Sequence, residues 1–183
     1  MNRKQQIANG INVEKQHHTE IFNIINKLYG SKFTYEDATN EEDMTECSDF
    51  WIKKDGRRAQ VSIRLRDAGL GFRDFTIRKT EFIKIKQGKG RLYFYGWLDN
   101  QNNIIEYVII DLCKFRNYIN NNANSGLIKN KDGITSFYHY DLLDLDRYKA
   151  IILYKKVVCG WVDMKNNGYE WKPQTCNDFF MFD

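Results

Sequence analysis

The residues best able to do chemistry lie in one short stretch of the chain, from Asp49 to Arg66. Apolar and polar residues alternate on both sides of Asp55-Gly56, and this pattern predicts a β-hairpin with its turn at that pair. One face of the second strand is apolar. The other face lies near Asp49 and consists of Gln60, Ser62, Arg64 and Arg66. Because arginine binds carboxylate and phosphate groups, this face has the layout of a site for an anionic ligand.

A helix over residues 7–28 is predicted to precede the hairpin, because isoleucine and leucine recur there with helical spacing. The same spacing places Glu14 and His18 on the stripe that faces the core. A carboxylate and an imidazole in that position cost stability unless they are paired or reach a site. Three interpretations stay open: the helix breaks near Gly10, the two side chains pair with each other, or they reach the anion site.

Capping and turn residues divide the remaining chain. Gly30 is predicted to follow the end of the first helix, and Thr39 with Glu42 forms a predicted capping box. Asp111 and Asp141 are predicted to begin helices. Later strands are predicted at residues 72–78, 91–98, 104–112 and 134–140, helices at 113–122 and 142–149, a helical turn or short strand at 80–85, and a strand or helix at 151–158.

The length and composition of the chain are those of one domain. It has 183 residues, of which 42% are hydrophobic and 15% aromatic, and this composition excludes an intrinsically disordered protein. The sequence therefore predicts a single domain over residues 1–183, of the α/β (α+β) class. Its mixed central sheet of about five strands is expected to be flanked by helices, with a helical and aromatic C-terminal extension over residues 121–183.

The cysteine spacing and the hydropathy indicate the compartment. The four cysteines are widely spaced without a CxxC pair, and the three histidines complete no zinc pattern, so we expect reduced thiols in a cytosolic protein. No apolar run approaches the length of a membrane span, and the N-terminus lacks an apolar signal core. We therefore expect a cytoplasmic protein, within a host cell, that does not enter a membrane.

Charge is segregated along the chain. Residues 33–52 contain seven acids and no lysine or arginine, whereas residues 53–91 contain thirteen bases and four acids. This pattern indicates either two solvated faces or a surface that binds nucleic acid or a nucleoprotein. The candidate nucleic-acid-binding residues are Arg57, Arg58, Arg64, Arg66, Arg73, Arg78, Lys79, Lys84, Lys86, Lys89 and Arg91. The candidate acidic docking segment comprises Glu36, Asp37, Glu41, Glu42, Asp43 and Glu46.

The segment from Ala38 to Arg64 resembles members of the PD-(D/E)xK nuclease superfamily found in phages and other mobile elements. An acidic, methionine-containing lead-in precedes an Asp-bearing strand, and the strand after a glycine turn carries a basic residue at the motif position. The pieces 73–78, 88–97 and 107–116 are similar to the same group. The resemblance covers roughly residues 10–120 and implies a restriction-endonuclease-like core.

Position by position, the resemblance matches Asp49 to the metal-binding aspartate and Arg64 to the terminal lysine that polarises the attacking water. Glu14, or else Glu20, matches the helix-borne acid. Ser62 lies where the second metal-binding acid is expected. The degenerate catalytic set is then Asp49, Gln60, Ser62 and Arg64, with Gln60 as the nearest stand-in for the missing acid, and the candidate metal ligands are Glu14 and Asp49. Asp43 and Glu46 could complete the site if their loop folds inward.

The resemblance implies a reaction that needs Mg²⁺ held by carboxylates. Ser62 offers only a neutral oxygen, and the arginine at position 64 stays protonated and cannot take a proton from water. We therefore expect a non-cutting protein without a cofactor that binds DNA or a nucleoprotein nuclease complex, and that inhibits a host defence nuclease of the CRISPR type. The alternatives are an Mg²⁺-dependent DNA endonuclease and a structural or accessory protein-interaction module.

Overall fold

The computed structural model describes residues 12–30, 32–71, 74–122, 126–130 and 135–156. Its helices are α1 (His18–Leu28), α2 (Asn40–Glu46), α3 (Lys79–Lys86), α4 (Leu112–Asn121) and α5 (Leu142–Arg147). Residues 12–16 are also helical, and Ala68–Leu70 forms a 3₁₀ turn. Its strands are β1 (Thr34–Asp37), β2 (Phe50–Lys54), β3 (Arg57–Asp67), β4 (Phe75–Arg78), β5 (Leu92–Leu98), β6 (Ile104–Asp111), β7 (Leu127–Lys129), β8 (Ser136–Tyr140) and β9 (Ile151–Lys156).

The strands form one mixed sheet and one small antiparallel sheet. The large sheet has the order β1-β2-β3-β5-β6-β9, and within it β3 and β5 are parallel while the other neighbouring pairs are antiparallel. The small sheet has the order β4-β8-β7. The architecture confirms the predicted α+β class with a mixed sheet flanked by helices. The large sheet has six strands rather than about five, and the small sheet was not predicted.

Two apolar cores lie on opposite faces of the large sheet, because side chains alternate along each strand. The first core includes Ile21, Ile25, Phe50, Ile52, Val61, Ile63, Phe94 and Ile109. The second core includes Phe75, Ile77, Ile85, Tyr93, Tyr95, Trp97, Val108, Phe115 and Leu145. Strand β5 is buried at every residue and contributes alternately to both cores, so the large sheet is covered on both faces around β3 and β5.

The polar face of the β2–β3 hairpin is therefore covered, which corrects the expectation that it is open to ligands. Ser62 is 5% exposed, and Arg64 and Arg66 are half-buried. In the parallel register, these three residues lie beside Tyr93, Tyr95 and Trp97 of β5, which belong to the second core. The sequence alternation located the polar face, but the elements that pack on it come from distant parts of the chain.

The helix predicted over residues 7–28 is interrupted within its described part. His17 is a turn residue (φ −93°, ψ −3°) between helical residues 12–16 and α1, for which it is the N-cap, while residues 7–11 lie outside the described residues. Glu14 and His18 bond to different partners. His18 Nδ1 lies 2.8 Å from Asp37 Oδ1, whereas Glu14 reaches strand β3.

Several local predictions are confirmed. Gly30 has a φ of 57° just after the C-cap of α1, and Thr39 and Glu42 form the predicted capping box of α2. Asp111 and Asp141 cap α4 and α5 through their carboxylates. The ambiguous segment 80–85 is helical in α3, and 151–156 is strand β9. The aromatic extension from residue 157 onward lies outside the described residues.

Candidate functional site

The β2–β3 hairpin organises both candidate regions. Asp55 and Gly56 have φ angles of 51° and 76°, as a two-residue type I′ turn requires. The register pairs Lys53 with Arg58 and Lys54 with Arg57 next to the turn. Because paired residues project to the same side, Lys53 and Arg58 continue the polar face of the hairpin. Lys54 and Arg57 continue the apolar face.

Strand β3 is longer than its partner β2, and this difference positions the predicted acids. Pairing of the two strands ends at Phe50 and Val61. The next amides of β3 that point to the side of β2 therefore have no partner strand. The Ile63 N–H donates to Asp49 Oδ2 at 2.6 Å, and the Leu65 N–H donates to Glu14 Oε1 at 3.4 Å. The two carboxylates therefore satisfy backbone donors at an interrupted sheet edge.

We call the group formed by Glu14, Asp49, Ser62, Arg64, Glu81, Tyr93 and Tyr95 the polar cluster. Burial raises the pKa of Asp49 to about 8 against the lowering effect of the Ile63 N–H, and the charges of Glu14, Asp43 and Glu81 raise it further. Burial likewise raises the pKa of Glu14, and the Leu65 N–H opposes that shift. The cluster therefore holds carboxyl groups that favour the protonated form more than exposed acids do.

Ser62 has a structural partner within this cluster. Its hydroxyl donates to the carbonyl oxygen of Cys47, and both residues are buried. Cys47 has a φ of 54° at the C-cap of α2, so the bond holds the left-handed end of that helix against β3. The side chain that stands in the place of the expected metal-binding acid thus secures a backbone carbonyl.

Arg64 is the cationic member of the polar cluster. Burial opposes its charge, but Tyr93, Glu81 and Tyr95 raise the pKa of the guanidinium, so it stays protonated. Its Nε is buried and has no hydrogen-bond partner. The side chain is therefore enclosed as a charge among tyrosines and carboxylates and does not form part of an open anion site.

Glu81 was missed by the sequence analysis. Its Oε2 accepts from the Tyr93 hydroxyl at 3.3 Å and from the Arg78 N–H at 3.3 Å at the start of α3. Its charge raises the pKa of both Asp49 and Tyr93. The sequence signal for Glu81 was only its place in a helical first turn, because its neighbours come from β3 and β5.

The residues present do not fit the Mg²⁺ site that the resemblance implies. Among the residues that the structure describes, no group of three His, Cys, Asp or Glu side chains is arranged to hold a metal ion. Asp43 and Glu46, which were expected to complete the site, do not do so. Glu46 accepts from Gln60 at 3.1 Å and from Lys89 at 2.7 Å, and Asp43 lies on the exposed surface of α2. Glu20 is bonded to His17 rather than to the cluster.

The second candidate region is the hairpin-end cavity, which has a volume of about 650 Å³. It is lined by Lys32, Thr34, Lys53, Lys54, Asp55, Gly56, Arg57 and Arg58. Five of these residues are bases and one is an acid. Two of its bases lie near aromatic rings: Lys54 Nζ lies 5.8 Å from the Phe33 ring centre, and the Arg58 guanidinium lies 4.0 Å from that of Trp51.

The other predicted nucleic-acid-binding bases are scattered. Arg91 is buried and bonded to Asp111 at 2.9 Å, so it cannot contribute to a surface, and Arg66 donates to Thr76 and Tyr95. Lys84 donates to the carbonyl of Asp43. Arg78, Lys79 and Lys86 are exposed on or beside α3, and Arg73 lies outside the described residues.

The predicted acidic docking segment is partly engaged with the hairpin. Three of its acids form side-chain ion pairs, Glu36 with Lys53, Glu42 with Arg58 and Glu46 with Lys89, and Asp37 is hydrogen-bonded to His18. Glu41 and Asp43 are exposed. The acidic segment therefore lies against the basic strands through part of its acids.

Comparison with protein-family models gives no match, and no curated protein sequence matches the chain either. Across the described part of the chain, no helix is long and apolar enough to cross a membrane. The assignment of a function rests on the two regions described above.

Proposed function

We propose that the protein binds nucleic acid through the hairpin-end cavity and does not cleave it. The observation that carries the proposal is the grouping of five bases around one cavity at the hairpin end, with Asp55 as the only acid in its lining. Nucleic acids present closely spaced phosphates, and each phosphate neutralised by a lysine or arginine releases condensed counterions. A surface of this charge and shape suits a phosphodiester backbone better than a single small anion.

The shape of the region also favours a nucleic acid. The cations stand on both faces of the hairpin next to its turn, where β1 flanks β2 as far as Lys53, so they present positive charge on both sides of the hairpin end. Two of the cations rest against the aromatic rings of Phe33 and Trp51. We therefore propose contacts to the phosphate backbone, which supply affinity without sequence preference.

The composition of the polar cluster supports the non-cutting part of the proposal. Ser62 replaces an acid and is occupied by the Cys47 carbonyl, and Asp49 is occupied by the Ile63 N–H. An arginine occupies the position of the water-polarising lysine, and it stays charged. These residues are suited to holding together β3, α2 and the second core.

The natural partner that we propose is DNA, alone or within a nucleoprotein nuclease complex of a host cell. A protein that occupies DNA or its accepting groove without cutting would block such a nuclease, as the resemblance to mobile-element proteins implies. Electrostatic complementarity of this kind speeds association and selects partners.

The experiment is a salt titration of binding to a labelled duplex. The variant Lys32→Gln/Lys54→Gln/Arg57→Gln removes three bases of the cavity. We expect its affinity at low salt to fall at least about tenfold, and the slope of log K against log salt to become shallower by about 2 to 3. The matched control Lys15→Gln/Lys27→Gln/Lys129→Gln removes three exposed lysines outside the cavity. Equal losses in both variants, or no binding by the wild type at low salt, would overturn the proposal.

A second candidate function is the Mg²⁺-dependent endonuclease that the resemblance implies, for which Asp49 and Glu14 supply carboxyl groups bonded to β3. Carboxyl groups with raised pKa values release their protons when a divalent cation binds. The test is plasmid nicking in the presence of Mg²⁺ or Mn²⁺. Nicking by the wild type that is lost in Asp49→Asn would establish this function and remove the non-cutting one.

A further inference from the structure

Lys53 and Arg58 at the hairpin-end cavity are paired with carboxylates from other elements of the chain. Lys53 Nζ is bonded to Glu36 of β1, and Arg58 Nη1 lies 3.5 Å from Glu42 Oε1 of α2. Lys53 and Arg58 are direct neighbours across the two strands, so their side chains share one face. On this face of the hairpin, each of the two cations is thus paired with an acid of the same chain.

The two carboxylates are held in place by secondary structure. Glu42 Oε2 accepts from the Thr39 N–H at 2.9 Å in the capping box. This backbone N–H lowers the pKa of Glu42, with smaller contributions from the Thr39 hydroxyl and Arg58. Glu36 lies on β1 directly opposite Trp51, one pleat from Lys53. Both carboxylates are therefore presented to the cations by the fold.

We propose that Glu36 and Glu42 compete with nucleic-acid phosphates for Lys53 and Arg58. The inference rests on the proposed function and concerns the regulation of that same site. A carboxylate and a phosphate engage ammonium and guanidinium groups with the same charge-assisted hydrogen bonds. The side chains of Lys53 and Arg58 are 39% and 56% exposed, and ion pairs at that exposure are weak enough to be exchanged.

This competition sets the class of ligand that the face accepts. Lys53 and Arg58 are each released when their own carboxylate is displaced, and two adjacent phosphates of one strand displace both carboxylates together. A single anion displaces one carboxylate at a time, and it binds the cation little more favourably than that carboxylate does. The face therefore discriminates in favour of a polyanion with closely spaced phosphates, which is the chemistry of a nucleic-acid backbone.

The test compares two variants with the same change in net charge. Glu36→Gln/Glu42→Gln removes both competing charges, and glutamine at position 42 still serves the capping box. Glu41→Gln/Asp43→Asn removes two exposed acids of the same helix that are not among the ion pairs of the segment. We expect the first variant to bind a labelled DNA duplex about fivefold to tenfold more tightly, with a salt slope steeper by about 1 to 2, and the second to gain less than about twofold.

A second comparison assigns the gain to the two cations. In the Lys53→Gln/Arg58→Gln background, the substitutions at Glu36 and Glu42 should give no gain in affinity, because no cation is left to release. Equal gains in the two acid variants, or a gain that persists without Lys53 and Arg58, would overturn the competition while the proposed function stands. Absence of DNA binding by every variant at low salt would overturn the proposed function itself.

Discussion

The polar cluster and the hairpin-end cavity are two parts of the same hairpin, and they use charge in opposite ways. At the interrupted edge of β3, the carboxylates of Asp49 and Glu14 accept backbone N–H groups and have raised pKa values. At the turn, the charged groups are partly or fully exposed and form ion pairs with carboxylates that are also partly exposed. The same alternation of residues therefore yields a buried group of structural charges and an accessible group of exchangeable ones.

The comparison separates stability from binding. When a buried charged group loses its partner, an unsatisfied polar atom remains and the stability of the fold is lowered. An exposed ion pair contributes little to the fold, and its members stay available to a ligand. We therefore expect substitutions in the polar cluster to change unfolding, and substitutions around the cavity to change binding.

The largest expected effect is on the pH dependence of stability, through Asp49. An exposed aspartate loses its proton near pH 4, whereas burial raises the pKa of Asp49 to about 8, so the folded state binds the proton more tightly. The contribution of Asp49 to stability is therefore fully present below about pH 4 and is lost as the pH rises towards about 8. Asparagine keeps an oxygen for the Ile63 N–H and removes this titration.

The measurement is urea unfolding of the wild type and of Asp49→Asn at about pH 5 and about pH 9. Between these two pH values, we expect the free energy of unfolding of the variant to rise by about 2 to 4 kcal/mol relative to that of the wild type. This is less than the full pKa shift of Asp49 implies, because a charged Asp49 relaxes towards water. Glu41→Gln, an exposed acid on α2, is the control and should run parallel to the wild type. Parallel curves for Asp49→Asn would show that Asp49 is solvated.

The next largest effect concerns the missing acid at position 62. Ser62→Glu places a carboxylate beside Asp49 and should create a site that Mg²⁺ occupies, whereas Ser62→Gln has a similar volume without the charge. We expect millimolar Mg²⁺ to stabilise Ser62→Glu by about 1 kcal/mol, or about 2 to 4 °C in Tm, and to leave Ser62→Gln and the wild type unchanged. A thermal melt with and without Mg²⁺ measures this, and equal shifts in all three proteins would count against a nuclease-like arrangement of the cluster.

The sequence predicted those parts of the fold that depend on neighbouring residues. The turn at Asp55-Gly56, the capping box of Thr39 and Glu42, and the caps of α4 and α5 all follow from local backbone requirements. The interruption at His17 was not predicted, although no isoleucine or leucine lies between Ile11 and Ile21.

The composition of the polar cluster depends on pairing between distant segments, and the sequence located it only in part. Asp49 and Ser62 were identified from the hairpin alternation, but their hydrogen bonds depend on where β2 stops and on the left-handed end of α2. Glu81 joins the cluster because α3 packs against the face formed by β3 and β5. The small sheet was missed for the same reason, since β8 pairs with both β4 and the three-residue strand β7.

The smallest expected effect is on stability at the hairpin end, and it tests the other side of the comparison. Lys53→Gln/Arg58→Gln breaks the ion pairs with Glu36 and Glu42, yet urea unfolding should show a loss of no more than about 0.5 kcal/mol, because pairs at this exposure are screened by water. Arg58→Gln also loses the contact with the Trp51 ring, so Lys53→Gln alone serves as the control for that contact. A loss above about 1.5 kcal/mol in both variants would mean that the pairs hold β1 and α2 on the hairpin. The hairpin end would then be structural in the same sense as the polar cluster, and its carboxylates would not exchange for phosphate.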